Sequence, residues 1–178
     1  MTLIGHIING NDITMQKQQR GFTLIELVVV IIILGILAVV AAPKFINLKS
    51  DALIANLNGL QGALKSANTL VYSRAVLTGQ EKLEPGSVTL DNSAVSTTLG
   101  YLTPLGANVA LALDSSFEVM TGANDTITAD WGLFNVPGGK SMYIVPKGFA
   151  TFDSCNLLYN VDSSQTEPVF YSLTTSGC

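Results

Sequence analysis

The chain has 178 residues, with 9 Lys and Arg, 13 Asp and Glu, and a single His. Such a length holds one modest domain plus an attached element. Only 12% of residues are charged and 48% are hydrophobic, which excludes a disordered chain or a charged polymer-binding tail. The formal charge of −4 and the lack of a basic run argue against nucleic acid as a partner of the bulk surface. His6 alone leaves little room for His-based catalysis or metal binding.

The first predicted element is an apolar run from Phe22 to Ala42, broken only by Thr23 and Glu26. As a helix it would be about 32 Å long, enough for a hydrocarbon core of about 30 Å. Lys17 and Arg20 precede it with no acid between them, so the positive-inside rule places the N-terminus in the cytoplasm and exports the rest. A secretory signal peptide would need cleavage near Val40-Ala41-Ala42. There Pro43 fits a protease groove poorly, and the run is longer than a usual signal core. A permanent single-span anchor is the other plain reading.

The stretch Lys17-Gln18-Gln19-Arg20-Gly21-Phe22-Thr23-Leu24-Ile25-Glu26-Leu27 resembles the processing site of type IV pilins. The resemblance implies that a prepilin peptidase cuts between Gly21 and Phe22 and methylates the new amine of Phe22. Glycine suits that cut because the backbone, lacking a Cβ, can be approached closely. Residues 1–21 would then be a leader. Translation from Met15 would shorten it to Met15–Gly21, closer to the short leaders of pilins whose mature chain begins with Phe.

Glu26 carries two readings. Thr23-Leu24-Ile25-Glu26 fits a capping box, a device that contributes about 1 kcal/mol. A carboxylate within a membrane span costs about 2.5–3.5 kcal/mol on insertion scales, softened near the interface. The resemblance implies a second role, in which Glu26 pairs with the Phe22 amine of a neighbouring subunit. Both roles can hold at different stages.

Residues 22–42 are thus expected to form a transmembrane and polymerisation half-helix, and residues 43–75 an amphipathic half. Leu53, Leu57, Leu60, Leu64, Ala67 and Val71 supply the apolar stripe of that second half, with Asn56, Asn58, Gln61, Lys65, Ser66 and Asn68 on the polar remainder. Gly35 and Pro43 weaken the helix. In the family, the segment between such residues melts when subunits pack.

Residues 76–178 are expected to form a globular head. Leu77 to Thr103 reads as a long connecting loop with a turn at Glu84-Pro85-Gly86. Strand-like runs follow at Val109–Leu113, Phe117–Met120, Ile127–Val136, Ser141–Val145, Ala150–Phe152, Leu157–Val161 and Val169–Leu173. Short turns between them predict antiparallel pairing. The fold class is therefore α+β: a long N-terminal helix, its hydrophobic half protruding, packed on an antiparallel sheet in the lollipop shape of pilins. Trp131 reads as core.

Cys155 and Cys178 are either two free thiols or, in an exported head, a disulfide. A bridge there would stabilise by about 3 kcal/mol in the chain-entropy model. It would match the disulfide-bounded C-terminal region of pilins. A finer resemblance, to MSHA-type (mannose-sensitive haemagglutinin) major pilins, lies in Phe22–Leu48 and in Gly59-Leu60-Gln61-Gly62-Ala63-Leu64.

That resemblance implies the major subunit of a surface filament for adhesion and biofilm formation. It implies an inner-membrane precursor with its N-terminus cytoplasmic, and then an extracellular pilus. The partners would be copies of itself, the prepilin peptidase and assembly machinery, the membrane, and a surface glycan as receptor. The alternative is a pseudopilin of a type II secretion system. A membrane-anchored enzyme would need a catalytic set, and no P-loop, HExxH or CxxC motif occurs. No enzyme activity, metal or cofactor is expected. Asp114, Asp125, Asp130, Asp153 and Asp162 match no calcium-loop spacing, and Asn124-Asp125-Thr126 is a formal but common glycosylation sequon.

Overall fold

The computed structural model describes residues 21–151 and 153–178. Residues 1–20 of the expected leader, with His6, Met15, Lys17 and Arg20, lie outside them, as does Phe152. The chain divides into two compact units, one ending at Lys44 and one covering Phe45–Cys178. Helix α1 (Leu24–Thr78, 55 residues) contributes to both and runs on through Gly35 and Pro43.

In the first unit α1 is apolar on every side. An 18-residue window reaches a mean hydropathy of 3.2 and none of it is buried, so this helix is long and apolar enough to cross a membrane. An all-round apolar helix has no face to present to water, and its cover must come from lipid or from other chains.

The second unit begins with the amphipathic part of α1. Leu57, Leu60, Leu64, Val71 and Ala75 are buried along one stripe. Full burial of such a Leu or Val is worth about 1.5–3 kcal/mol relative to exposure. The helix stops at Thr78 because Gly79 turns left-handed (φ 68°). The N–H of Gly79 bonds to the Val76 carbonyl at 3.2 Å and that of Gln80 to the Ala75 carbonyl at 2.8 Å, a Schellman closure.

Strands β1 (Gly86–Leu90), β2 (Ser93–Thr98) and β3 (Tyr101–Leu102) then form an antiparallel sheet. The long loop expected over Leu77–Thr103 is therefore largely sheet. Its Ser and Thr residues alternate with buried Val88, Leu90, Val95 and Thr97, and two tight turns join the strands. Asp91 and Asn92 (φ 42° and 68°) make the first, as Asx residues tolerate the left-handed region. Leu99 and Gly100 (φ 51° and 81°) make the second. A Cβ on Gly100 would lie 2.9 Å from the Tyr72 ring, so glycine is needed there for space as well as for φ.

Helix α2 (Gly106–Ala112) replaces the strand expected at Val109–Leu113. A short apolar run does not distinguish helix from strand by periodicity. Here the Asn135 side chain accepts the Gly106 N–H at 2.8 Å and fixes the first turn.

The second sheet has the order β4 (Phe117–Met120), β5 (Trp131–Asn135), β6 (Ser141–Pro146), β7 (Asn156–Val161) and β8 (Val169–Thr174). Pairing is antiparallel from β5 to β8, as expected, but β4 and β5 are parallel, with Phe117 opposite Trp131. The chain crosses over between them, and two carboxylates hold the crossing. Asp125 accepts the N–H groups of Thr121 (2.8 Å) and Gly122 (2.7 Å). Glu118 accepts those of Thr128 (2.7 Å) and Ala129 (3.3 Å). These bonds hold both carboxyls below their ordinary values. They also explain why the run expected from Ile127 pairs only from Trp131. Ala150 and Thr151 lie in a turn, not a strand.

Both sheets share one core with α1. Val88, Val95 and Leu102 from the first sheet and Leu133, Ile144, Leu157 and Tyr159 from the second join the helix stripe. The fold is α+β, a long N-terminal helix on predominantly antiparallel sheets.

Candidate functional site

The start of α1 is built by its own sequence. Thr23 precedes the first helical residue, and Glu26 sits in the first turn. The Glu26 Oε2 atom accepts the Thr23 backbone N–H at 2.8 Å and the Thr23 hydroxyl at 2.7 Å, while Thr23 Oγ1 accepts the Glu26 N–H at 3.3 Å. This reciprocal arrangement is a capping box, and it satisfies donors that a helix start leaves open. Only one carboxylate oxygen is used. Among the described residues Oε1 has no hydrogen-bond partner, so the acid retains acceptor capacity for a cation from outside the chain.

Phe22 and Gly21 lie just before the helix. Phe22 is 93% exposed, and among the described residues a Cβ placed on Gly21 would meet nothing within 4 Å. From Leu24 to Val40 the apolar side chains remain exposed; Ile31 to Leu34 are 52–58% accessible. Phe22 and Glu26 fall within about one turn of each other, whereas Gly35 and Pro43 lie farther along α1.

The remaining predicted pair belongs to the second unit. Cys155 and Cys178 form a disulfide with their Cα atoms 4.9 Å apart. Cys155 is fully buried. The bridge closes the open end of the β7–β8 hairpin, one residue beyond the Asn156–Thr174 pair on the β7 side. The Gly177 N–H donates to the Ser154 carbonyl at 2.8 Å and draws the C-terminus onto the strand. At the other end of the hairpin, Lys140 Nζ lies 2.8 Å from Asp162 Oδ1. That ammonium, helped by the N–H and hydroxyl of Ser164, holds the Asp162 carboxyl down at about 2.

Two features escaped sequence reasoning. Asn68, placed there on the polar side of α1, is buried and bonded to Tyr159, Tyr171 and Leu102. Trp131, read as core, packs against the core but is half-buried and also lines an open cleft. Neither has a local sequence signal, since each depends on strands far away in the chain.

This capped helix start leads into an uncovered apolar helix, long and apolar enough to cross a membrane, in a chain with an α+β head. Residues 16–42 match the prokaryotic N-terminal methylation motif. The chain is 43% identical over 56 residues to the type IV narrow pilus major component PilA5 of Thermus thermophilus, covering 32% of this chain and 48% of the relative. It is 36% identical over 67 residues to the type IV major fimbrial protein FimA of Dichelobacter nodosus, covering 38% and 40%. It is also 44% identical over 52 residues to the type II secretion system core protein G of Klebsiella pneumoniae, covering 27% and 37%. The chain thus spans less than half the length of these relatives. No solved structure shows a significant match. The motif and the two pilus relatives support a type IV pilin, on a likeness that covers about a third of the chain.

Proposed function

We propose that this chain is the major structural subunit of a type IV pilus of the MSHA-like kind, polymerising through α1 into a surface filament for adhesion and biofilm formation. The observation that carries this reading is the apolar helix from Leu24 to Val40, left uncovered and bearing a single carboxylate at its start. In lipid the surface is covered by acyl chains. In a filament it is covered by other copies of the same helix.

In this reading the prepilin peptidase cuts between Gly21 and Phe22 and methylates the Phe22 amine. The new ammonium of one subunit then meets the unused Oε1 of Glu26 in another. An unpaired carboxylate in an apolar core is costly and a paired one fixes register, so the pairing selects the correct stagger between subunits. Residues 22–42 act as the membrane and polymerisation half-helix, and the segment between Gly35 and Pro43 melts as the subunit leaves the bilayer. The precursor spans the inner membrane with its N-terminus cytoplasmic, and the assembled chain is extracellular.

Similarity to core protein G favours a second reading, a pseudopilin of a type II secretion system. Intact-mass measurement on protein sheared from the cell surface separates the two. The pilus reading expects the mass of Phe22–Cys178 plus one methyl and minus two hydrogens in the sheared fraction. Recovery of that mass only from the inner membrane gives the pseudopilin reading, and a retained leader overturns the processing step.

A further inference from the structure

We infer that the cleft beside Gly59 is a contact between copies of this chain, in which Asp114 and Asp130 of one copy receive the Lys44 ammonium of another. The inference rests on the filament reading above and names a contact that the reading leaves open.

The cleft lies within the second unit and has a volume of about 550 Å³. Gly59 and Ala63 of α1 form one side, and Asp114, Asp130, Trp131 and Lys147 line the other. Asp114 and Asp130 are exposed, and among the described residues neither carboxylate takes part in an ion pair or a side-chain hydrogen bond. The cation already at the rim is directed elsewhere, since Lys147 Nζ donates to the Thr128 carbonyl at 2.9 Å. Two carboxylates and an indole in one depression favour a positively charged visitor.

Gly59 adds an independent argument. It is exposed inside a helix, where glycine costs about 1 kcal/mol relative to Ala. A Cβ there would meet nothing within 4 Å among the described residues, so the isolated chain gains no packing from its absence. A backbone approaching from outside does gain from it.

Charge selects the visitor. Among residues 21–44 the basic side chain is Lys44, which is exposed and without an ion pair among the described residues. Covering the neighbouring apolar helix in a filament draws that ammonium out of water, and desolvation is costly unless an acid accompanies it. The cleft supplies the acid. Lys49, exposed about one helical turn before Leu53 of the cleft, is the competing cation from the same copy.

A zero-length carbodiimide cross-link on native sheared filaments tests the contact without any substitution. Mass mapping of the band at twice the subunit mass is expected to find Lys44 joined to Asp114 or Asp130. Cross-links confined to Lys49, in the single-subunit band, overturn the proposal. In parallel, Lys44→Glu and Asp130→Lys are each expected to lower surface filament yield about tenfold, with the double variant restored to within about twofold of wild type. Wild-type yield from either single variant also overturns it. The intact mass of the sheared wild-type chain keeps the two readings apart: surface Phe22–Cys178 without the cross-link removes this contact alone, and no surface filament removes both.

Discussion

The Asn68 amide and the Tyr159 hydroxyl lie 3.0 Å apart at the buried meeting point of α1 and both sheets. The same amide donates to the Tyr171 hydroxyl at 2.7 Å, while Asn68 Oδ1 accepts the Leu102 N–H at 2.9 Å. Tyr159 in turn donates to the Leu102 carbonyl at 2.5 Å. One side chain thus ties the helix to β3, β7 and β8. Burial drives the Tyr159 phenol far above its ordinary value, so it stays a neutral donor at every working pH.

Replacing Asn68 by Leu leaves the Leu102 N–H and the Tyr171 hydroxyl without their partner. The expected loss is about 3 kcal/mol, since each orphaned buried group costs about 1–3 kcal/mol. Tyr159→Phe, which keeps the ring stacked on Tyr171, is expected to lose about 1 kcal/mol. Urea unfolding of the mature chain in detergent checks both, and a neutral Asn68→Leu would show that the network adds nothing.

In the chain-entropy model the Cys155–Cys178 disulfide stabilises by restraining the unfolded chain. Cys155→Ser with Cys178→Ser is expected to lower stability by about 3 kcal/mol in the chain-entropy model. The Tm of this variant should match that of the reduced wild-type protein. A variant as stable as the oxidised chain would refute the estimate.

Acid should weaken the hairpin tip in a defined window. Because the Asp162 carboxyl is lowered to about 2, its contribution is fully present above the unfolded value of about 3.9 and is lost as pH falls through about 2. Lys140→Met should therefore be less stable than wild type at pH 6, and the gap should close between about pH 4 and 2. A gap independent of pH would place the effect of Lys140 in packing instead of charge.

Glu26 separates capping from assembly. Glu26→Ala removes both roles, whereas Glu26→Gln keeps an acceptor for the Thr23 N–H and hydroxyl but no charge. If the charge pairs with the Phe22 amine, Gln and Ala should both abolish most surface filaments, while membrane levels of the processed subunit stay near wild type. Filament yield from Glu26→Gln equal to wild type would leave only the cap.

The helical half of the fold was legible because its signals are local and long: an unbroken apolar run, a stripe at helical spacing, and the Thr23–Glu26 box. The processing and assembly roles of Gly21, Phe22 and Glu26 rest on one contiguous motif and stand as proposals. The first sheet was not, because its Ser and Thr residues read as loop until Val88, Leu90 and Val95 are seen to share a face. Asn68 looked like solvent-facing helix because its partners stand 34, 91 and 103 residues away. The parallel pairing of β4 with β5 depends on two capping carboxylates, Glu118 and Asp125, which composition cannot distinguish from surface acids. The cleft draws on four separate stretches of chain and has no linear signature at all.

The hairpin of β7 and β8 is a ring. Its strands are zipped from Asn156–Thr174 to Val161–Val169, and its open end is closed covalently by Cys155–Cys178. The connecting tip, Asp162 to Pro168, is consequently free to change length, because both strands are anchored without its help. Doubling such a loop costs only about 0.6 kcal/mol. A foreign peptide inserted after Gln165 should therefore leave the head folded, making the hairpin tip a place where this subunit can carry new surface chemistry on a fixed frame.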